Sequence, residues 1–241
     1  MKILVISPHP DDSDFGAAGT VAKFVQEGNT AEYLIISDGS KGSHKVGFGG
    51  EKLANIREQE QAAAARVVGV EKVTFLRQVD GEMENTAELR KNLIREMRRA
   101  KPDIVLTFDP SSLLFESVYR SHRDHRIIAE AVFDAVYPGV GNISFFPELI
   151  EEGFSPHQIS EVWFFATPRP NKWVDITETI DTKMKALFAH ESQHEDTAAL
   201  ERRIKGRAVE EGKQGNARYA ECFRIVDFNH EYDKAQEKVE N

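Results

Sequence analysis

The first half of the chain alternates short apolar runs with longer stretches in which apolar and polar residues recur at helical spacing. Four short runs predict buried strands: Ile3–Ile6, Tyr33–Ile36, Val73–Leu76 and Ile104–Thr107. The longer stretches predict helices at about 15–27, 51–68 and 87–99. Strands that alternate with helices pair in parallel, with right-handed crossovers. The pattern therefore predicts an α/β fold with a mostly parallel sheet flanked by helices.

The second half of the chain is less regular. Helices are predicted at about 122–136 and 178–190, followed by a charged helical segment that ends near Gly212. Strands are predicted at 161–167, 172–177 and 222–226. The chain contains no internal repeat, low-complexity linker or sharp change of composition. We therefore expect one domain over residues 1–241, with a smaller irregular C-terminal part.

Composition and charge narrow the classes of protein that fit this pattern. Hydrophobic residues make up 40% and charged residues 29% of the 241 residues, as is ordinary for a folded soluble protein. The net charge of −9 argues against nucleic acid or an anionic membrane as partner, but permits a small polar substrate. The single cysteine, Cys222, excludes an internal disulfide. Without a secretory signal or an apolar run of roughly 20 residues, a cytoplasmic protein is expected.

The first cluster of chemically active residues lies where the first strand should end, in "VISPHPDDSDFGAAGT" (residues 5–20). Ligands of parallel sheets bind beyond the carboxyl ends of the strands, and His9, Asp11 and Asp12 stand there. A phosphate site would need a Gly-rich turn, whereas adjacent carboxylates suit a cation, and imidazole and carboxylate are both zinc ligands. A capped turn explains one Asp, but not the histidine and the second carboxylate.

A second cluster lies in "YRSHRDHRIIAEAVFDAVYP" (residues 119–138). His122 and His125 are three residues apart at the predicted start of a helix, so they share a face, and Asp124 stands between them. The segment follows the fourth strand and can fold over the same sheet edge as His9. A solvated helix start would tolerate this composition, but two imidazoles and a carboxylate within four residues favour a functional site.

These two segments resemble the signatures of the LmbE-like or PIG-L family of zinc-dependent N-deacetylases. The first is similar to the family's H-P-D-D-x-E motif, and "HRDH" (residues 122–125) is similar to H-P-D-H. Other pieces agree in order: "DG" at 38–39, "VDGEM" at 79–83, "TFDP" at 107–110 and "HESQ" at 190–193. The resemblance covers about residues 1–193 and implies a Rossmann-like fold.

The resemblance also implies an activity and a cofactor. The family hydrolyses N-acetyl groups, typically of an N-acetylglucosamine moiety, and releases acetate. By the family pattern, His9, Asp12 and His125 would hold one Zn²⁺ per chain, and a metal-bound water would be the nucleophile. The chemistry is consistent with this, because zinc lowers the pKa of bound water to about 7 and polarises a carbonyl.

The remaining roles also follow from the resemblance. Asp11 would be the general base, and His122, held by Asp124, would be a cationic partner of the tetrahedral intermediate or the leaving group. Arg57 stands where members often carry an arginine that contacts substrate, although a solvated helix arginine fits equally well. The sequence departs from the family at Asp14, where Glu is usual, and at Arg123, where Pro is usual.

Two other readings compete with deacetylation. "HESQH" (residues 190–194) matches the H-E-x-x-H signature, in which His190 and His194 would bind zinc and Glu191 would be the base of a metallopeptidase. The polar sequence after it is unlike the buried helix that such a site needs. The other alternative is a sugar- or metal-binding homologue without turnover.

Several properties stay open at the level of sequence. The N-acetylated substrate, the physiological metal and the roles of His44 and the 110–121 loop cannot be assigned, because specificity depends on loops. Exposed-looking apolar residues in "GNISFFPELIEEGF" (residues 141–154) favour a homo-oligomer. The expected partner is a small amino-sugar substrate, with neither nucleic acid nor membrane.

Overall fold

A seven-stranded sheet organises the chain in the computed structural model, which describes residues 1–43, 45–111, 115 and 117–229. The strands are β1 Lys2–Ser7, β2 Thr30–Ser37, β3 Lys72–Gln78, β4 Ile104–Phe108, β5 Glu161–Phe165, β6 Lys172–Asp175 and β7 Ala220–Asp227. Their order across the sheet is β3-β2-β1-β4-β5-β7-β6. The strands from β3 to β5 pair in parallel, and β7 runs antiparallel to β5 and β6. The predicted mostly parallel sheet is confirmed.

Helices cover the sheet, and most begin close to their predicted positions. They are α1 Asp12–Gln26, α2 Gly50–Val68, α3 Ala87–Ala100, α4 Val118–Ser121, α5 Arg123–Asp134, α6 Glu148–Glu151, α7 Ile180–Phe188 and α8 Thr197–Gly215. The charged helix expected after residue 190 begins only at α8, where the Asp196 side chain accepts the N–H of Ala199. His44 lies outside the described residues. No helix in the described part of the chain is long and apolar enough to cross a bilayer.

The central strand β1 is buried on both faces. Ile3 and Val5 pack into one hydrophobic cluster, with α1 and α2, whereas Leu4 and Ile6 pack into another, with α3 and α5. Side chains alternate between the two faces of a strand, so both faces of β1 must be apolar. This explains why the strand reads as an uninterrupted apolar run in the sequence.

The sheet changes direction of growth at β1, which pairs with β2 on one side and with β4 on the other. In open parallel sheets this switch point leaves a crevice beyond the carboxyl ends of the strands, where ligands bind. The chain enters the crevice at His9 and starts α1 at Asp12. The helix begins three residues before its predicted start. The sequence pattern did not reveal this first turn, because its residues are acidic and buried and lack the apolar periodicity of a helix.

Candidate metal centre and active site

Two distant segments of the chain meet beyond the end of β1. Nδ1 of His9 lies 3.0 Å, and Nε2 of His125 lies 3.2 Å, from the same carboxylate oxygen of Asp12. All three residues are buried, and His9 is the most exposed of them at 8%. Ligand atoms of a tetrahedral zinc ion are about 3.4 Å apart, because each metal–ligand bond is about 2.1 Å long. The donor types and these two separations fit a metal ion of the zinc type. Among the described residues, the ligand atoms of two overlapping sets, His9–His122–His125 and His9–Asp80–Asp124, also lie within 4.8 Å of one another.

The charges in this cluster are arranged around Asp12. Burial works to raise the pKa of Asp12, but the nearby His125 and His9 outweigh it and hold that pKa well below its usual range. Burial works to lower the pKa of His9, yet its carboxylate partners raise it well above the ordinary value. An ionised carboxylate therefore lies beside a nitrogen of each of two imidazoles, and ligands of these types bind a divalent cation once they are deprotonated.

The other ring nitrogen of His9 faces two further carboxylates. Nε2 lies 3.2 Å from Oδ1 of Asp80 and 3.2 Å from Oδ2 of Asp124. The backbone N–H groups of Gly81 and Lys41 donate to Asp124 and Asp80 at 2.7 and 3.0 Å. Carboxylates in such positions fix the tautomer and orientation of a metal-binding histidine. Sequence reasoning assigned no role to Asp80, and its place in "VDGEM" after β3 was the only signal.

His122 adds a third imidazole to the cluster. Its ring centroid is 5.1 Å from that of His9 and 5.0 Å from that of His125, and one nitrogen of each ring lies within 4.8 Å of the others. Burial, together with the charges of His9 and His125, lowers the pKa of His122 below its ordinary value. These surroundings favour a neutral ring at pH 7, whereas the predicted role was that of a cation.

The predicted contact between Asp124 and His122 is corrected by the structure. The carboxylate of Asp124 is directed at His9 and at the N–H of Gly81, and it is the Asp124 backbone N–H that donates to Nδ1 of His122, at 3.3 Å. An accepting Nδ1 places the proton of a neutral His122 ring on Nε2. Asp124 therefore orients His9 with its side chain and sets the tautomer of His122 with its backbone.

Asp11 lies beside the cluster in a strained backbone conformation. Its φ of 91° and ψ of −32° are rare for a residue with a side chain, and such conformations cost about 1–3 kcal/mol. Two residues one turn apart on α2 hold both polar atoms of the Pro10–Asp11 peptide group: Gln61 Oε1 accepts the N–H of Asp11 at 2.7 Å, and Arg57 donates to the carbonyl of Pro10 at 2.6 Å. Burial raises the pKa of Asp11 to about 6, although Arg57 works to lower it.

Arg57 borders the site, but protein groups already engage it. It is 4% exposed, and its guanidinium donates to the carbonyls of Pro10 and Gly39 as well as to Asp11. A Cβ at Gly42 would lie 2.3 Å from Nη1 of Arg57, so this loop position has room only for glycine while the guanidinium stays in place. Arg57 therefore positions Asp11, and its contact with substrate stays a prediction.

A second buried pair lies behind the cluster. Nε2 of His190 is 2.8 Å from Oδ2 of Asp14, and both residues are fully buried. Nε2 of Gln61 donates to the same oxygen, also at 2.8 Å. Gln61 therefore links the Asp11 backbone to Asp14 and His190. Asp14, which stands where the family usually carries Glu, therefore has a carboxylate that is bound by both Gln61 and His190.

The H-E-x-x-H interpretation is wrong for this chain. Residues 190–194 lie in turns after the end of α7, so His190 and His194 do not share a helix face. His190 contacts Asp14 instead, and Ser192 donates from both its N–H and its Oγ to the carboxylate of Glu60, at 2.7 Å each. The "HESQ" segment therefore ties the α7–α8 connection to α2.

The site opens into a cavity of about 770 Å³, a size typical of small-molecule sites. Its lining includes the histidine cluster and Asp11, and it extends past Phe15 to α8. The Phe15 ring is 6.4 Å from the ring of Tyr119 and 5.3 Å from that of His194. Helix α8 packs on β6 and β7. The cavity therefore extends from the carboxyl end of β1 toward the antiparallel strands of the sheet.

Comparison with known proteins finds similarity to N-deacetylases in both sequence and fold. Residues 4–136 match the family model of PIG-L, described as GlcNAc-PI de-N-acetylase. The diacetylchitobiose deacetylase of Thermococcus kodakarensis is 37% identical over 93% of this chain and 83% of its own length. A probable N-acetyl-alpha-D-glucosaminyl L-malate deacetylase 2 of Bacillus anthracis is 26% identical over 79% of this chain and 80% of its own length. The N,N'-diacetylchitobiose deacetylase structure from Pyrococcus horikoshii superposes with a TM-score of 0.87 at 33% identity, covering 94% of this chain and 84% of that one.

Proposed function

The chain belongs to the PIG-L family, and from that premise we propose that it hydrolyses the N-acetyl group of a substrate containing N-acetylglucosamine, with Zn²⁺ as cofactor. One observation carries the proposal: His9, Asp12 and His125 converge within hydrogen-bonding distance on a buried point, next to a strained carboxylate. The activities named for the similar proteins support an amino-sugar substrate.

His9, Asp12 and His125 would hold one ion per chain. His9 would offer Nδ1, the ring nitrogen that faces Asp12, since its Nε2 faces the carboxylates of Asp80 and Asp124. When bound, zinc supplies Lewis acidity, which polarises a carbonyl oxygen and acidifies water. Asp80 and Asp124 would keep the His9 ring oriented for binding.

Asp11 acts as the general base. A carboxylate with a pKa near 6 is mostly ionised at pH 7 and still basic enough to accept a proton in the transition state. Asp11 takes one proton from the attacking water as its oxygen forms a bond to the acetyl carbon. It then returns the proton to the amide nitrogen as the C–N bond breaks, which releases acetate and the free amine.

His122 acts as a hydrogen-bond donor to the acetyl oxygen. Its Nδ1 accepts from the Asp124 backbone, so the neutral ring carries its proton on Nε2. A preset donor near the developing negative charge lowers the barrier without a change in protonation. We propose this neutral donor in place of the cation expected from the sequence.

We extend the proposal to the organisation of the protein. The chain would be a single domain, since the sheet runs from the first residues to β7, and its partner would be a small amino sugar. A homo-oligomer is supported by Ile143 and Phe145, which are 65% and 38% exposed in the segment from which self-association was predicted.

The test is acetate release from N,N'-diacetylchitobiose and N-acetyl-alpha-D-glucosaminyl L-malate by protein freed of metal and then reloaded with zinc. We expect release only after reloading. Metal content separates the proposed ligands His9, Asp12 and His125 from the alternative set His9, Asp80 and Asp124. Asp12→Asn should lose the ion, whereas Asp80→Asn should retain it with weaker affinity, by about 10–100-fold. Retention by Asp12→Asn with loss by Asp80→Asn would place the ion on the other side of His9. No acetate from either substrate would refute the proposed function.

A further inference from the structure

Two arginines of α8, Arg203 and Arg207, line the same cavity as the histidine cluster. Arg203 and Arg207 are four residues apart, so their side chains leave the same face of the helix. The Arg203 guanidinium carbon lies 5.7 Å from the centroid of the Phe15 ring. Both residues are exposed, so their charges are not buried in the protein core.

The other cations of the cavity wall are paired with acids. Nζ of Lys41 lies 2.6 Å from Glu82, and Nζ of Lys183 lies 2.5 Å from Glu221, while Arg57 contacts Asp11. Arg203 and Arg207 have no hydrogen bond or ion pair with any residue that the structure describes. Helix α8 also contributes Glu211 to the lining, where its carboxylate accepts the N–H of Trp173, so the two arginines leave α8 with a net positive charge on this wall.

Phe15 connects these arginines to the reacting centre. Its ring is near both Arg203 and Tyr119, at 5.7 Å from the Arg203 guanidinium carbon and 6.4 Å from the Tyr119 ring, and the Tyr119 ring is 5.0 Å from that of His125. A sugar whose acetamido group reaches the histidine cluster would lie across Phe15. The group attached to that sugar would then extend toward α8. Nε2 of His194, buried and without a hydrogen-bond partner, borders the same space.

We propose that Arg203 and Arg207 form a subsite for an anionic group attached to the N-acetylglucosamine unit. This inference rests on the proposed function and concerns the substrate class. A guanidinium presents parallel N–H donors that match the two oxygens of a carboxylate or phosphate, and it is more weakly hydrated than an ammonium group. The subsite therefore favours glycosides that carry a carboxylate or a phosphate over neutral disaccharides.

The test compares three substrates: N-acetyl-alpha-D-glucosaminyl L-malate, N-acetylglucosamine 1-phosphate and neutral N,N'-diacetylchitobiose. In the double variant Arg203→Gln/Arg207→Gln, kcat/KM for an anionic substrate should fall by about 10–100-fold, mainly through KM, because charge-assisted hydrogen bonds are lost. The value for diacetylchitobiose should change by less than about threefold. Comparing the carboxylate with the phosphate substrate identifies which anion the subsite takes.

Arg202→Gln is the matched control, because Arg202 is exposed on α8 and lies outside the described lining of the cavity. It should leave all three values unchanged. Equal losses on all three substrates, or no loss on either anionic one, would overturn the subsite while leaving deacetylation intact. If no substrate releases acetate, calorimetric binding of the amine product, glucosaminyl L-malate, decides the question. Equal affinities of the wild-type and double-variant proteins would overturn the subsite.

Discussion

Replacing Gln61 by leucine tests whether α2 holds the catalytic carboxylate in place. Gln61 is fully buried, and its amide joins the N–H of Asp11 at 2.7 Å to the carboxylate of Asp14 at 2.8 Å. Leucine has a similar volume but can make neither bond. The substitution therefore removes one acceptor and one donor without leaving a large cavity.

The size of the effect follows from these two bonds. A buried polar group that loses its partner costs about 1–3 kcal/mol, and two groups are affected. Part of this cost is recovered when Asp11 leaves its strained conformation, which holds about 1–3 kcal/mol. We expect Gln61→Leu to lower the free energy of unfolding by about 2–4 kcal/mol. A displacement of the Asp11 carboxylate by about 1 Å should lower kcat by about 10–100-fold.

The assay combines urea unfolding with steady-state acetate release by zinc-loaded protein. KM should change by less than about threefold and the zinc content should not change. Gln61 is not among the described residues that line the cavity, and its side chain bonds to Asp11 and Asp14 rather than to a predicted metal ligand. Gln59→Leu is the matched control: it is the same substitution on the exposed face of α2, and it should cost less than about 0.5 kcal/mol.

Gln61→Glu separates the two bonds. A glutamate can still accept the N–H of Asp11, but an ionised one cannot donate to Asp14, which it would repel. Most of kcat should therefore return while the stability stays low. If Gln61→Leu keeps kcat within about threefold of wild type, either the conformation of Asp11 does not depend on Gln61 or Asp11 is not the base, and the reasoning fails.

Three further outcomes are expected. Asp11→Asn should lower kcat by about 10²–10⁴-fold at unchanged zinc content, and wild-type turnover by this variant would remove Asp11 from the mechanism. His125→Ala should abolish zinc binding and His190→Ala should not, as measured by elemental analysis; the reverse result would restore a metal role for residue 190. Burial works to lower the pKa of His190, but Asp14 outweighs it and raises that pKa overall. The protonated ring therefore stabilises the folded state fully below about pH 6.5, the ordinary pKa of histidine, and this contribution is lost as pH rises through the higher pKa of the folded state. The excess stability of wild type over His190→Gln in urea should therefore shrink on that rise, and a pH-independent difference would contradict the assignment.

Local sequence patterns were sufficient to predict the parallel part of the sheet and the helices that alternate with its strands. The uninterrupted run Ile3–Ile6 predicted a strand covered on both faces, and alternation with helices predicted the parallel sheet. In such a sheet, the residues that follow a strand collect at one edge. Because of this rule, His9 and His125 could be expected at one site although they are more than a hundred residues apart.

The antiparallel edge of the sheet and the split of the helix predicted at 122–136 were harder to foresee. Pairing of β7 between β5 and β6 depends on contacts across the whole second half of the chain. Helix α5 ends at Asp134, and Tyr137, with a φ of −131° and a ψ of 123°, breaks the helical path immediately before Pro138. A proline lacks the N–H of a regular helical turn, but sequence alone does not say which turn replaces it.

Sequence by itself determined which residue types bear the chemistry and that strand ends bring them together. Only the tertiary structure decided which atoms face each other: Asp124 turns to His9 instead of His122, Gln61 supports Asp11, and His190 pairs with Asp14. The direction of a side chain depends on how separate helices and strands are placed against one another. That placement is set by packing across the whole core, so no local stretch of sequence contains it.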